Sequence, residues 1–435
     1  MQQPVSGFSK KSKAEKINWI VEQHFENPQL AHDQLSTYWH SDYALQEKHD
    51  EFIENTLTNF YVPLGVAPNF LINGHYYTLP MAIEESSVVA AACKSAKYWM
   101  DKGGFKTEIL GVEKVGQVHF LCFENPTAVK TFFDTYKQQL LDSCAPLLKR
   151  MEKRGGGILS LSLVDKTDAL ENYYQLHATF DTQDAMGANF INSVLEQLAD
   201  RLQEASKEYP TFSHQEQAVE VVMSILSNYV PDCLVRAEVR CPVSDLEAEE
   251  ELSAEAFATK VIQAVKIAEI EPYRAVTHNK GTMNGVDAVV VATGNDFRAI
   301  EAGVHAYAAR DGQYRSLTKA FVENGEFVFR LDLPLAVGTV GGLTQLHPMV
   351  KWSLELLQNP SAQELMQIIA VAGLAQNFAA VRSLVTSGIQ KGHMKMHLLN
   401  ILNQLNATSD QKEKAIVHFK HNTVSHSAVQ DFLNS

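Results

Sequence analysis

The chain has 435 residues, a formal net charge of −14 and a hydrophobic fraction of 45%. This length allows two or three domains, each with a sizeable core. The acidic balance argues against a nucleic-acid partner, and it means that an anionic ligand must be received by local Lys or Arg side chains or by helix N-termini.

Neither a membrane span nor a secretory signal is predicted. We find no apolar run of the roughly 18 residues that cross a bilayer. The N-terminal text MQQPVSGFSKKSKAEK lacks an apolar core and a small-residue cleavage site. The five cysteines are scattered and form no CxxC pair. They favour a reducing cytoplasm and argue against a zinc or disulfide framework.

The first third of the chain contains one segment with two interpretations. Helical spacing of apolar residues predicts a helix over 12–25, and Asn73-Gly74 predicts a hairpin turn. After the hairpin, Glu84 and Glu85 precede two serines and an Ala-rich helix. The acids can serve as helix capping and dipole complements. Alternatively, one of them is a partly desolvated general acid.

A small α+β unit is predicted next. Its strands are expected at 118–123, 158–164 and 173–180, with a helix over 127–148 and a long helix ending near 208. Basic residues and a glycine triplet, Gly155 to Gly157, separate the first helix from the second strand.

The segment DAMGAN, residues 184–189, opens the long helix. An Asp cap, a Gly and small residues there leave unpaired N–H groups with room for a pyrophosphate. Capping with close packing explains the same residues. The segment is not a GxGxxG fingerprint, so a Rossmann fold is not predicted.

The stretch Arg274 to Arg298, RAVTHNKGTMNGVDAVVVATGNDFR, is the centre of the interpretation. We predict a polar cluster, then a Gly- and Asn-rich turn, then a buried strand over 288–292. Lys280 and Asp296 would lie at opposite ends of this strand. Each could simply be a solvated loop residue or a turn cap, but both lie among residues suited to close backbone approach.

The last quarter of the chain is predicted to be mostly helical. The glycine turn 338–342 lacks the GK[ST] ending of a P-loop and favours close approach of another segment or a ligand. Ser361 and Glu364 form a capping box. His393 and His397 lack the HExxH arrangement. His393 is either a residue near a helix start or a titratable group on a lid.

Together these residues indicate a class of chemistry. They comprise an acid, a cation for an oxyanion, a carboxylate, a second proton donor and an anion-ready helix terminus. Reduction of a carbonyl or thioester by a nicotinamide fits the set.

Six motifs in order resemble the 3-hydroxy-3-methylglutaryl-coenzyme A (HMG-CoA) reductase family, especially its soluble bacterial class II. They span most of the chain from about residue 54 to 400. They are PLGVAPNFLING, PMAIEESSVVAAA, DAMGAN, RAVTHNKGTMNGVDAVVVATGNDFRAIEAGVHAYA, AVGTVGGLTQLHP and GIQKGHMKMH.

The resemblance implies roles for the candidate residues. Glu85 would be the catalytic acid, Lys280 the cation at the reacting carbonyl, Asp296 the carboxylate between them and His393 the acid for the leaving thiolate. The implied substrate-binding residues are Ser87, Arg274, Asn284 and Asn228. The implied cofactor-binding residues are Asp184, Ala185, Met186, Gly187 and Asn189, and no metal is implied.

The resemblance also implies an architecture. The fold would be α+β, with a large substrate domain (1–112 and 225–385), an inserted small non-Rossmann cofactor domain (113–224) and a helical C-terminal flap (386–435). The substrates would be HMG-CoA, mevalonate and CoA. The assembly would be a homodimer with sites at the subunit interface, or a hexamer of three dimers, in the cytoplasm and without a membrane.

The chain departs from the family pattern in three places. The segment at Glu54-Asn55 lacks the usual glycine, and the N-terminal basic residue expected to meet coenzyme A is displaced, which leaves Lys10 or Lys11 as candidates. After the glycine triplet no acidic residue lies where an NAD-selective member would hold the ribose hydroxyls, which favours NADPH over NADH. Two alternatives remain: the reaction runs oxidatively on mevalonate with NAD, or the chain is a non-catalytic CoA- or nucleotide-binding relative.

Overall fold

The computed structural model shows an α+β protein, as predicted. It divides into two compact units, Met1–Pro63 and Leu64–Ser435. His393 lies outside the described residues. The structure describes residues 4–213, 218–247, 252–386, 388, 398–419, 422 and 424–434.

The first unit is a small helical cluster. Its helices are α1 (Lys13–His24), α2 (Pro28–Ser36) and α3 (Tyr43–Asp50). The residue before each helix caps its first turn through a side-chain oxygen, which satisfies an otherwise unpaired N–H group. The helix predicted over 12–25 is confirmed by α1, whereas α2 and α3 were not predicted.

The second unit begins with the predicted hairpin. Strands β1 (Leu64–Ile72) and β2 (His75–Ala82) pair antiparallel. Asn73 and Gly74 both have positive φ, 49° and 89°, as a two-residue hairpin turn requires. Helix α4 (Val88–Met100) follows β2 and packs on β1. The hairpin therefore leads directly to the turn that carries Glu85.

A four-stranded antiparallel sheet supports the larger core of this unit. Its strand order is β3-β8-β10-β9. Buried residues of the sheet contact α4 and the helices α8, α9 (Pro272–Ala292) and α13 (Ala362–Val385). The ranges are β3 (Lys106–Ile109), β8 (Leu234–Pro242), β9 (Thr318–Glu323), β10 (Glu326–Pro334) and α8 (Ala254–Ile270).

A second sheet, in the order β5-β6-β4-β7, has a core of its own. The predicted helix 127–148 is wrong in one respect: it is two helices that meet at Cys144, because Pro146 cannot donate a backbone hydrogen bond. Strand β7 was not predicted. The ranges are β4 (Lys114–Cys122), α5 (Pro126–Ser143), α6 (Ala145–Glu152), β5 (Gly157–Asp165), β6 (Tyr173–Asp181), α7 (Ala188–Glu208) and β7 (Val219–Ser227).

The strand predicted over 288–292 is wrong. Residues Pro272–Ala292 form one helix, α9, and Phe297–Ala308 form the next, α10. Gly285 makes no turn; it lets α9 approach α13 so closely that a Cβ there would overlap the carbonyl oxygen of Ala372. Within the apolar run all residues but Val291, which is 37% exposed, are buried because α9 is covered on most sides. Burial on most sides makes the run uniformly apolar and hides the helical period in the sequence.

The expectation that no run is long enough to span a bilayer is also corrected. Helix α13 (Ala362–Val385) has the length and composition of a membrane span. Yet 67% of its apolar window is buried inside the protein, and it packs against α4, α8 and α9. Its apolar character therefore serves the core. Before it lie α11 (Leu343–Leu346) and α12 (Pro348–Leu356). After it the described residues include a helical segment at 398–404 and the helices Ser409–His418 and His426–Asn434.

We predict that Gly285→Ala destabilises the protein by about 1–3 kcal/mol, the usual cost of overpacking a core. The added methyl group must push α9 away from Ala372. Gly281→Ala on the same helix is the control, because its Cβ would meet just one methyl group, at 4.0 Å. A thermal melt should show a lower Tm for the Gly285 variant and an unchanged or raised Tm for the control. Equal melting temperatures would contradict the packing argument.

Candidate active site

Two of the predicted catalytic side chains meet. Glu85 lies in the turn between β2 and α4, and Lys280 lies on α9. The Lys280 Nζ donates to the Glu85 Oε2 at 2.5 Å, across 195 positions of sequence. The two side chains are 60% and 38% exposed, for Lys280 and Glu85. A ligand can therefore reach both ends of this ion pair.

Ser87 has a strained backbone. It is the residue before α4, with φ 77° and ψ −16°, and its side chain makes no capping hydrogen bond. The left-handed region costs a residue with a Cβ of order 1 kcal/mol or more. Ser87 therefore precedes α4 without capping it. Its hydroxyl is not used by the helix, and it lies two residues from Glu85.

Because residues 277–280 lie on a helix, some side chains of the predicted polar cluster face the core and others face solvent. His278 and Asn279 are buried, and burial lowers the pKa of His278 to about 3, so it is neutral. Lys280 reaches the surface, and Asn284, four residues on, shares its face. Arg274 lies half-buried in the first turn, where burial lowers its pKa. The sequence could not show which of these residues are buried and which are exposed, because the segment was interpreted as a loop.

Asp296 is placed differently from the expectation. Its carboxylate caps α10 and accepts two hydrogen bonds from Arg298, at 3.0 Å and 3.1 Å. The hydrogen bond from Arg298 holds the pKa of Asp296 below its usual range. Among the described residues no ion pair joins Asp296 to Lys280. The nearby guanidinium engages the carboxylate instead, so its place between Glu85 and Lys280 stays a prediction.

The segment Asp184 to Asn189 lies at the start of the 21-residue helix α7. The predicted Asp cap is wrong: Gly187 is the residue before α7, with φ 95°, and no side chain caps the helix. The Asp184 carboxylate instead accepts a hydrogen bond from the Ala362 nitrogen of α13 at 2.8 Å. The first N–H groups of α7 are therefore not used by a side-chain cap, which suits an anion.

Two glycine segments pack against this loop. A Cβ at Gly338 would overlap the Met186 nitrogen, so the 338–342 turn does bring another chain segment close, as predicted. The glycine triplet lies on the other side, because β5 pairs with β6 and Gln183 Nε2 donates to the Gly155 oxygen at 3.3 Å. The basic residues before the triplet are exposed.

Sequence analysis missed Lys114. This lysine is 6% exposed, and its Nζ donates to the Thr182 Oγ1 at 2.5 Å and to the Ala185 oxygen at 2.7 Å. Burial lowers its pKa. Strand alternation offered a signal, because Lys114 shares the buried side of β4 with Gly116 and Val118.

Asn228 lies beside the same loop. It lines a cavity together with Lys114, Met186 and Ala188. A Cβ at Gly303 of α10 would lie 2.5 Å from the Asn228 oxygen, so the cavity is bounded by α10. The structure thus connects one predicted substrate residue to the predicted cofactor segment.

An ammonium that can stabilise an oxyanion, an adjoining carboxyl group and a helix terminus suited to an anion are features that fit the reduction of a carbonyl substrate. Comparisons with known proteins agree. The family model for hydroxymethylglutaryl-coenzyme A reductase matches residues 13–398. A 3-hydroxy-3-methylglutaryl-coenzyme A reductase of Archaeoglobus fulgidus is 38% identical over 371 residues, which cover 84% of this chain and 80% of the relative.

Two solved structures from Streptococcus pneumoniae share the fold. One 3-hydroxy-3-methylglutaryl-coenzyme A reductase has a TM-score of 0.73 and 36% identity, and the match covers 99% of each chain. The other is the class II enzyme bound to NADPH in open conformations, with a TM-score of 0.72 and 38% identity. It covers 88% of this chain and 100% of the other. The chain belongs to the hydroxymethylglutaryl-coenzyme A reductase family, and it is an oxidoreductase.

We predict that Arg298→Ala raises the pKa of Asp296, because the guanidinium stabilises the ionised carboxylate. Asp296 would then protonate at a higher pH than in the wild type. Carbon-13 NMR of labelled aspartate, titrated with acid, measures this directly. Arg240→Ala removes a surface guanidinium that pairs with other acids and is the control. An unchanged Asp296 titration in Arg298→Ala would contradict the assignment.

Proposed function

We propose that the chain reduces HMG-CoA to mevalonate and CoA with two molecules of NADPH, within the mevalonate route to isoprenoids. The observation that carries the proposal is the contact between Lys280 and Glu85. It brings an ammonium and a carboxyl group together at a surface that a thioester can reach. Family membership supplies the identity of the substrate.

The ammonium of Lys280 serves the carbonyl oxygen. When bound, the reduced nicotinamide supplies one hydride to the thioester and, after exchange, a second to the aldehyde. Each addition puts negative charge on the carbonyl oxygen. Lys280 can donate a hydrogen bond to that oxygen and stabilise the charge, more strongly once the bound substrate excludes water.

The proton for the product alcohol comes from the ion pair. In the structure the Glu85 carboxylate accepts a hydrogen bond from the Lys280 ammonium, so a proton has a direct path between the two groups. The pair, rather than Glu85 alone, therefore supplies the proton. We assign protonation of the CoA thiolate to His393 and a tuning role to Asp296, on the family resemblance.

The remaining site residues bind substrate and cofactor in this proposal. Arg274 pairs with the substrate carboxylate, and Ser87 and Asn228 contact the acyl portion. Asn284 orients Lys280, since the two share one face of α9. The cofactor segment is Asp184, Ala185, Met186, Gly187 and Asn189, and the uncapped start of α7 supports it, since such a terminus receives a pyrophosphate.

The domain ranges stated above stay part of the proposal: 1–112 and 225–385 for substrate, 113–224 for cofactor and 386–435 for the flap. The separate core of the second sheet supports the cofactor domain. We also propose a homodimer or a hexamer of dimers. Exposed apolar residues beside Arg274, with Tyr273 88% and Val276 55% exposed, support a subunit contact there. Five unpaired thiols support a cytoplasmic location.

We predict that Lys280→Met and Glu85→Gln each lower kcat by about a hundredfold or more, because general acids and oxyanion donors contribute effects of this size. Turnover of HMG-CoA with NADPH is the measurement. Lys102→Met is the control, because Lys102 forms another Lys–Glu pair, with Glu247 at 3.1 Å. Wild-type turnover in either site variant would refute the assigned roles.

We predict a preference for NADPH over NADH of about tenfold or more in kcat/KM, the size of one charge-assisted contact. The first residues of β5, next to the cofactor loop, carry no carboxylate before Asp165, and Lys153 and Arg154 are exposed beside the glycine triplet. Both features favour the extra phosphate of NADPH. The double variant Lys153→Ala/Arg154→Ala should raise KM for NADPH alone. A strong NADH preference would favour the oxidative direction instead.

A further inference from the structure

A second polar cluster lies on the helices that carry Lys280 and Asp296, and the roles proposed above do not use it. Asp287 is on α9, seven residues after Lys280, so the two side chains share one face of the helix. Glu301 and His305 are on α10, one helical turn apart. The cluster therefore joins the two helices.

Asp287 and Glu301 form a carboxyl pair. Glu301 acts on Asp287 both as a hydrogen-bonding neighbour and as a like charge, and two carboxyl groups so close need a shared proton because two ionised carboxylates have none to donate. One oxygen of Asp287, Oδ1, is buried, and no N–H or O–H group of the described residues donates to it. Burial, and after it the Glu301 carboxyl, raise the pKa of Asp287 to about 8. The pair thus holds a proton at neutral pH.

The contacts continue from Glu301 back to α9. His305 Nε2 lies 2.5 Å from the Glu301 Oε2, and His305 Nδ1 lies 2.7 Å from the Tyr314 hydroxyl. Asn279, which is fully buried beside Lys280, lies close enough to Tyr314 to oppose the rise that burial causes in its pKa, while its own side chain is hydrogen-bonded to the Arg315 oxygen and the Leu317 nitrogen. The cluster that starts at Asp287 therefore extends to the surroundings of the residue before the lysine.

We propose that the proton shared by Asp287 and Glu301 holds α9 against α10 and so fixes the position of Lys280 relative to Asp296. Asp287 and Glu301 are positioning residues, and their effect on turnover rests on the function proposed above. Loss of the proton places two like charges in contact where little water can screen them. The helices would then separate, and Lys280 would lose its alignment.

The charge environment makes the pair sensitive to pH. Among the described residues, Glu301 is the ionisable group that acts on Asp287. Helices α4, α8, α12 and α13 and strand β2 also pack against α9, and no ionisable group on their described residues is among those that shift the pKa of Asp287. Behind Glu301 stand His305 and Tyr314, whose pKa is raised by burial.

The sign of the stability effect follows from the raised pKa. An unfolded Asp loses its proton near pH 4, whereas the folded Asp287 keeps its proton up to about pH 8. The folded state binds the extra proton throughout this window, so stability falls as pH rises through it, and the loss is complete above the folded pKa. Asp287→Asn can donate an N–H to Glu301 without titrating, so it lacks this fall.

Melting temperatures between about pH 5 and pH 9 test the shared proton. The controls are the wild type and Asp332→Asn, which removes a half-buried carboxylate paired with Arg236 at 2.8 Å. Both should lose more Tm with rising pH than Asp287→Asn. Infrared spectra at neutral pH should show a protonated carboxylic acid that is missing in Asp287→Asn alone. Equal slopes, or the same acid band in wild type and Asp287→Asn, overturn the proposal.

Kinetics test the positioning role. Above the pKa of Asp287 the wild type should lose kcat by about tenfold per pH unit, as for one essential proton, while Asp287→Asn keeps its neutral-pH value. Asp287→Leu, which cannot hydrogen-bond, should lower kcat at every pH with little change in KM. Wild-type kcat in Asp287→Leu overturns the proposal. Absence of HMG-CoA reduction by the wild type would instead overturn the proposed function, and the melting and infrared results would stand.

Discussion

Close contact between α9 and α13 is the constraint on which the site depends. Gly285 removes the side chain that would keep the helices apart, so α9 is buried on most sides and exposes one narrow face. Lys280 lies on that face. Helix α13 also backs α4, where the Ser95 hydroxyl donates to the Ala375 oxygen at 2.6 Å. One apolar helix thus sets the positions of both segments that supply the ion pair.

The exposure of the Lys280–Glu85 ion pair suits its proposed role in binding and protonating the substrate. A buried Lys–Glu pair would lose much hydration and would be hard for a substrate to enter. Here both side chains contact solvent in the single chain. Their interaction strengthens when substrate, cofactor and further protein cover them, since excluding water lowers the local dielectric constant. The rigid helices thus fix the geometry, and the covering ligands supply the low-dielectric environment.

Much of the fold was predictable because local signals were strong. The hairpin at Asn73-Gly74 and the capping box at Ser361 depend on residues close in sequence, and both are present. Helix α9 was mistaken for a loop and strand, because Gly285 serves contact with a distant helix that no local pattern reveals. The same error hid Asp287. It lies seven residues after Lys280, and this spacing places two side chains on one face only if the segment is a helix.

The contact between Glu85 and Lys280 was anticipated from the resemblance and not from spacing, since 195 positions separate them. The resemblance did not anticipate that Arg298 would engage Asp296, or that Lys114 would support the cofactor segment. The hydrogen-bond partners of both side chains depend on the three-dimensional packing, and a sequence motif does not specify those partners. Contacts between residues that distant elements bring together could therefore be identified only from the structure.

A double-mutant cycle of Glu85→Gln and Lys280→Met, measured as kcat/KM for HMG-CoA with NADPH, tests the central claim most directly. If the two groups act as one acid and oxyanion donor, removing the second after the first costs little, and the double variant resembles the worse single variant. Losses that multiply independently would contradict the account, because they would mean that the two side chains serve separate steps.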